Sequence, residues 1–94
     1  MAVAQVSSAP SRADYDAVVA HLGLDEHRPE GLLVHAACEL PSGEVQIVDV
    51  YESEDALRAF AESRLFKAFA DAGIADVAMA GPRPVAHEAF HLIA

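Results

Sequence analysis

The chain has 94 residues, is 53% hydrophobic, and sets 6 Lys+Arg against 15 Asp+Glu for a formal charge of −9. That length holds one domain, residues 1–94, and the apolar share places it among globular chains rather than disordered acidic tails. The anionic balance excludes nucleic acid and anionic membrane surfaces as partners, because both need clustered cations.

The first predicted element is a short strand over Ala2 to Ser7, broken by Ala9-Pro10-Ser11. Ser11 is a helix N-cap, with Asp14 three residues on in a weak capping box. Tyr15, Val18, Val19 and Leu22 recur at i, i+3, i+4, i+7, the apolar stripe of a first helix, and Gly23 stands where a C-terminal glycine belongs. Leu24 to Glu30 is charged, contains Pro29 and is a loop. Gly31 to Leu40 is an apolar run of strand length. Pro41-Ser42-Gly43 turns the chain, and Glu44 to Glu52, rich in β-branched residues, returns as the second arm of a hairpin. Both arms are apolar on both faces, which suits a sheet covered on each side.

Ser53 caps a second helix, with Glu54 and Asp55 in its first turn where the dipole favours anions. Its stripe is Leu57, Phe60, Ala61, Leu65, Ala68, Phe69 and Ala72; Gly73 ends it, and Phe66 falls opposite the stripe. Ile74 to Pro84 is expected to be an irregular connection, and Val85 to Ile93 a last strand. The order β-α-β-β-α-β predicts an α+β, ferredoxin-like fold: a four-stranded antiparallel sheet with two helices on one face. The other face is apolar and the chain has no further helix to cover it. A domain this small also has more apolar side chain than one core hides. A homodimer is therefore expected, two sheets pairing face to face and enclosing a pocket in each subunit.

A single cysteine, Cys38, forms no intrachain disulfide, so the expected location is cytoplasmic. Cys38 lies in an apolar run and is expected in the core. Met1 to Val6 is too short for a signal h-region, and no apolar run reaches the roughly 18 residues of a membrane span.

The segment Asp49-Val-Tyr-Glu-Ser-Glu-Asp-Ala-Leu-Arg-Ala-Phe60, continued by Ala61-Glu-Ser-Arg-Leu-Phe-Lys-Ala-Phe69, resembles the dimeric α/β-barrel superfamily, and within it the antibiotic-biosynthesis-monooxygenase-like domains. These share an aromatic strand end, an acidic helix cap and a second helix closing on a Phe-Lys/Gln-Ala-Phe type segment. The resemblance implies a dimeric α/β barrel and a small-molecule cavity. Many such monooxygenases carry a His where this chain has Phe60, and Pro-His where it has Arg64-Leu65. The cofactor-free members commonly use Asn and Trp, and the haem-degrading members add a His ligand; this chain has no Asn and no Trp. Other members are polyketide cyclases using His and Tyr.

Candidate polar groups follow from position. His35 interrupts an apolar strand and needs a hydrogen-bond partner or a wet cavity. An even hairpin register brings it to Asp49 and Tyr51 on one face; an odd register separates them. A His–Asp pair beside a Tyr could enolise or polarise a carbonyl substrate, or simply be a satisfied polar pair that fixes register. His87 and His91, four apart on the expected last strand, share a face some 13–14 Å apart, too far for one metal; either is a candidate acid/base. Tyr51 packs against the second helix or lines the ligand site. Tyr15 lies on the first helix's core stripe, with a cavity-facing hydroxyl as the alternative. Arg64, near the middle of the second stripe, snorkels, pairs with a carboxylate or anchors an anionic ligand. Val34, Val48, Leu57 and Phe60 would wall the pocket.

Together these predict a protein that binds a small apolar or aromatic molecule, without metal or cofactor. It would be a cofactor-independent monooxygenase or cyclase acting on an aromatic or polyketide-like substrate. The alternative is a non-catalytic ligand-binding or accessory dimer module.

Overall fold

A computed structural model of the chain describes residues 1–80 and 83–93, with the Met79 side chain outside that description. Strand β1 spans Val3–Ala9 and stops before Pro10, which has no N–H to donate to a ladder. Ser11 caps helix α1 (Arg12–Leu22) as expected, its Oγ accepting from the Asp14 N–H at 3.2 Å. The helix ends at Gly23, left-handed at φ 60°, whose N–H returns to the Val19 carbonyl at 3.0 Å.

The hairpin pairs β2 (Leu32–Glu39) with β3 (Val45–Tyr51). Its turn is closed by the Gly43 N–H on the Leu40 carbonyl and the Leu40 N–H on the Glu44 carbonyl. The register sets His35 opposite Asp49, and a bulge between Leu32 and Val34 shifts the ladder by one residue. The bulge lets Leu32 and His35, three apart, face the same side. Arg28 fastens it: its guanidinium donates to the Leu32 carbonyl at 2.8 and 3.2 Å and to the Leu33 carbonyl at 3.2 Å.

Helix α2 (Glu54–Phe60) begins at Ser53, whose Oγ accepts from the Ala56 N–H at 3.1 Å. It runs through a π-helical turn (Ala61–Leu65), in which the Phe66 N–H reaches back five residues to the Ala61 carbonyl, into α3 (Phe66–Asp71). The expected irregular connection instead contains a short helix, α4 (Ala75–Ala80), begun by the Ala78 N–H on the Ile74 carbonyl. Ala, Val and Met in succession are competent helix formers and no proline intervenes before Pro82. Gly81 and Pro82, within the same expected connection, lie outside the described residues.

The last strand is shorter than expected. β4 covers Ala86–Glu88 rather than Val85 to Ile93, because among the described residues it pairs with β1 alone and their ladder ends at Val3↔Glu88. One further bond, the Ala89 N–H to the Ala2 carbonyl, exhausts the partner strand.

The antiparallel sheet has the order β2-β3-β1-β4, the ferredoxin-like arrangement. Two apolar clusters lie on its helix side, the first built on the sheet and the second between α1 and α3. Val3, Leu32 and Tyr51 pack under Ala56 and Leu57; Val18, Leu22 and Ala68 pack with Leu65, Phe69 and Ile74. Phe60 belongs to both, and a cleft lies where the clusters do not fuse. The opposite side carries Ala4, Val6, Val34, Ala36, Cys38, Val48 and Val50. Of these Val50 is buried, while Val6, Ala36 and Cys38 are exposed in the single chain. Cys38 is thus not in the core: alternation along β2 turns it away from the helices.

Candidate functional site

The cleft between sheet and helices has a volume of about 590 Å³. Its walls are largely apolar, with Leu22, Leu57, Phe60, Leu65 and Phe66 from the helices and Ile47 from the sheet. Phe66 reaches the cleft through the π-turn. On a regular helix it would sit opposite the stripe, but one inserted residue delays the helix phase by about 100° and swings it round.

Three polar side chains stand in line on the sheet side of this cleft. Asp49 on β3 and His35 on β2 are directly paired, with Oδ1 and Nδ1 2.5 Å apart. The other ring nitrogen, Nε2, lies 2.8 Å from the Tyr15 hydroxyl on α1. The Tyr15 and His35 rings are parallel within 8° with centroids 6.2 Å apart, so with that hydrogen bond they lie end to end rather than face to face. The carboxylate of Asp49 only accepts, which puts a proton on His35 Nδ1. In neutral His35 the Nε2 atom is then the acceptor, and the Tyr15 hydroxyl donates to it.

Charge and burial act on each group. The hydrogen bond that His35 donates to Asp49 raises the His35 pKa above its ordinary 6.5, against an opposing effect of burial. Burial raises the Tyr15 phenol, and the Asp49 charge adds to it. Tyr51, two residues beyond Asp49 on the same face, is almost wholly buried with its ring tilted against Phe60 at 6.1 Å. Burial pushes its phenol strongly up, with Asp49 reinforcing and Arg64 opposing, so it stays protonated throughout the physiological range.

The structure therefore brings together Tyr15, His35, Asp49, Tyr51, Leu57 and Phe60. It does not bring in the others. Val34 and Val48, expected as pocket walls, face the helix-free side, because the register that pairs His35 with Asp49 sends their neighbours the other way. His87 pairs with Ala4 on that same far side and is exposed. His91 lies past the end of β4, also exposed, so the two histidines do not share a strand face. Among the described residues Arg64 pairs with no carboxylate and does not line the cleft. It donates to the Leu22 carbonyl at the end of α1 at 2.7 Å and lies 5.5 Å over the Phe60 ring. Gln5 went unnoticed in the sequence. It lines the cleft and pairs across β1 and β3 with Asp49, a placement that only the register reveals. Among the described residues no cluster of three or more His, Cys, Asp or Glu side chains could hold a metal ion.

Solved structures share this architecture along most of their length. Rv0793 from Mycobacterium tuberculosis superposes with a TM-score of 0.71 at 17% identity, covering the whole of both chains. A protein provisionally named an antibiotic biosynthesis monooxygenase, from Chloroflexus aurantiacus J-10-fl, gives 0.64 at 16% identity, again over both full chains. Another with the same provisional name, from Caulobacter crescentus CB15, gives 0.61 at 24% identity over 92% of this chain and 85% of its own. No family model matches the chain, and no curated protein does. At these identities the likeness establishes the fold alone: this is an α+β chain of ferredoxin-like architecture.

Proposed function

We propose that this chain is an acid–base enzyme for a small apolar carbonyl compound, aromatic or polyketide-like, working without a bound cofactor. The observation that carries this reading is the hydrogen-bonded run Tyr15–His35–Asp49 at the wall of an apolar cleft. A neutral imidazole held by a carboxylate is a base poised near neutrality. The chemistry that suits it is removal of a proton from carbon next to a carbonyl. The Tyr51 phenol, kept protonated by burial, is available to donate to the oxygen on which charge develops. The resulting enolate can react with dioxygen, a monooxygenase outcome, or with a second carbonyl of the same molecule, a cyclase outcome. The names of two structural neighbours favour the first; the missing Asn and Trp favour the second.

The working unit in this proposal is a homodimer joined through the helix-free sheet face, where Val6, Ala36 and Cys38 stand exposed in one chain.

Turnover of anthrone and of a β-polyketone by the parent chain, His35→Ala and Tyr51→Phe tests the reading. Loss of turnover in His35→Ala, by roughly a hundredfold or more, supports it. Equal rates in parent and His35→Ala would overturn it. Saturable binding with no turnover at all would establish the accessory ligand-binding module instead.

A further inference from the structure

Resting on that reading, we propose that Tyr15, rather than His35, is the group that meets the substrate, and that the three side chains form a serial proton relay. The geometry is the basis. His35 has two nitrogens and both are taken: Nδ1 by Asp49 at 2.5 Å and Nε2 by the Tyr15 hydroxyl at 2.8 Å. No lone pair of the imidazole remains for a ligand while those bonds hold. The Tyr15 oxygen has donated its hydrogen to His35 and keeps its lone pairs, and Tyr15 lines the cleft. The near-parallel rings, joined end to end by that hydrogen bond, hold the phenol oxygen 2.8 Å from Nε2, within reach of a direct proton transfer.

The step balances without a further reactant. The substrate C–H bond breaks and its proton bonds to Tyr15 Oη; the Oη–H bond breaks and that proton bonds to His35 Nε2. The electron pair of the C–H bond stays on the substrate as its enolate. Negative charge thus leaves no residue behind on Tyr15, and the imidazolium formed on His35 rests against the Asp49 carboxylate. Running the sequence backwards returns a proton to the product. The logic is that of a Ser-His-Asp triad with a phenol at the reacting end, carrying a proton rather than attacking carbon. In this scheme Tyr15 is catalytic, while Asp49 is a positioning residue that fixes the imidazole tautomer.

Two measurements test it. The first needs no substrate: ¹⁵N NMR of the His35 ring. Neutral His35 is expected to carry its proton on Nδ1, with an Nε2 resonance displaced by a hydrogen bond that Tyr15→Phe abolishes. A neutral tautomer protonated on Nε2 would overturn the relay, because Tyr15 could not then discharge its proton. The second follows loss of deuterium from the acidic carbons of anthrone and 2-tetralone by mass spectrometry. Tyr15→Phe and His35→Gln are each expected to slow exchange roughly a hundredfold, and the double variant no further, as for residues acting in series. If Tyr15→Phe exchanges within twofold of the parent while His35→Gln does not, His35 acts directly; the relay is lost and the acid–base reading stands. A parent chain that exchanges neither ketone removes the acid–base reading, and the relay with it.

Discussion

His35 sets two opposite pH dependences. Its pKa is raised in the folded chain by the Asp49 hydrogen bond, so the folded state holds this proton more tightly than the unfolded state does. The stabilisation is fully present below the unfolded value near 6.5 and is lost as pH rises through the higher folded value. Thermal melts of parent and His35→Gln should therefore differ most at mildly acidic pH and converge as the solution becomes alkaline. The pair is partly open to water, so the difference should be about 1 kcal/mol or less. Proton abstraction behaves the other way, since only neutral imidazole accepts. Exchange should rise with pH through the same folded value, with its midpoint above 6.5. A midpoint below that value would contradict the pairing seen between His35 and Asp49.

The elements owe their positions to a few backbone devices. Gly31 enters β2 at φ 81°, and its carbonyl accepts from the Glu52 N–H at 2.8 Å, closing the end of the hairpin beneath α2. A Cβ there would lie 2.8 Å from that of Ala56 and 3.0 Å from Glu52 Cγ. Gly31→Ala meets both a left-handed backbone and a clash against the first turn of α2. It should cost about 2–3 kcal/mol in chemical denaturation, more than either effect alone. Ser53→Ala, which only strips the α2 cap, should cost about 1 kcal/mol. The caps and the glycine stop at Gly23 are visible in the sequence, because each acts within four residues. The bulge at Leu33 and the π-turn at Ala61–Leu65 are not. Both insert a residue without any local signature, and both redirect side chains into the cleft.

At the scale of the molecule, the unanswered surface is the helix-free sheet face. Val6 lies at its centre strand, 57% exposed, beside half-buried Val48. An apolar face of this kind loses its contact with water when a second copy covers it. If the proposed dimer forms there, Val6→Asp should convert the chain to a monomer in sedimentation equilibrium while its far-ultraviolet dichroism is unchanged. Cys38 on the same face should react slowly with a thiol reagent in the parent and quickly in Val6→Asp. A parent chain that sediments as a folded monomer at micromolar concentration would refute the dimer.

Periodicity, caps and turn residues determined the element order and hence the ferredoxin-like fold, because alternation and helical stripes are local consequences of which side of each element is dry. The sequence also singled out His35, Asp49 and Tyr51, since a polar side chain inside an apolar strand demands a partner. It could not choose that partner. Whether His35 met Asp49 depended on the hairpin register, which the turn sets by pairing Leu40 with Glu44 and which runs unbroken from there to Val34. That Tyr15 closed the run from α1 depended on how that helix sits over the sheet. The same register sent Val34 and Val48 to the far side, and the pairing of β4 with β1 sent His87 there. A shift of one residue exchanges the two faces of a strand at no cost to its local pattern, so only the assembled sheet could decide which side chains share a site.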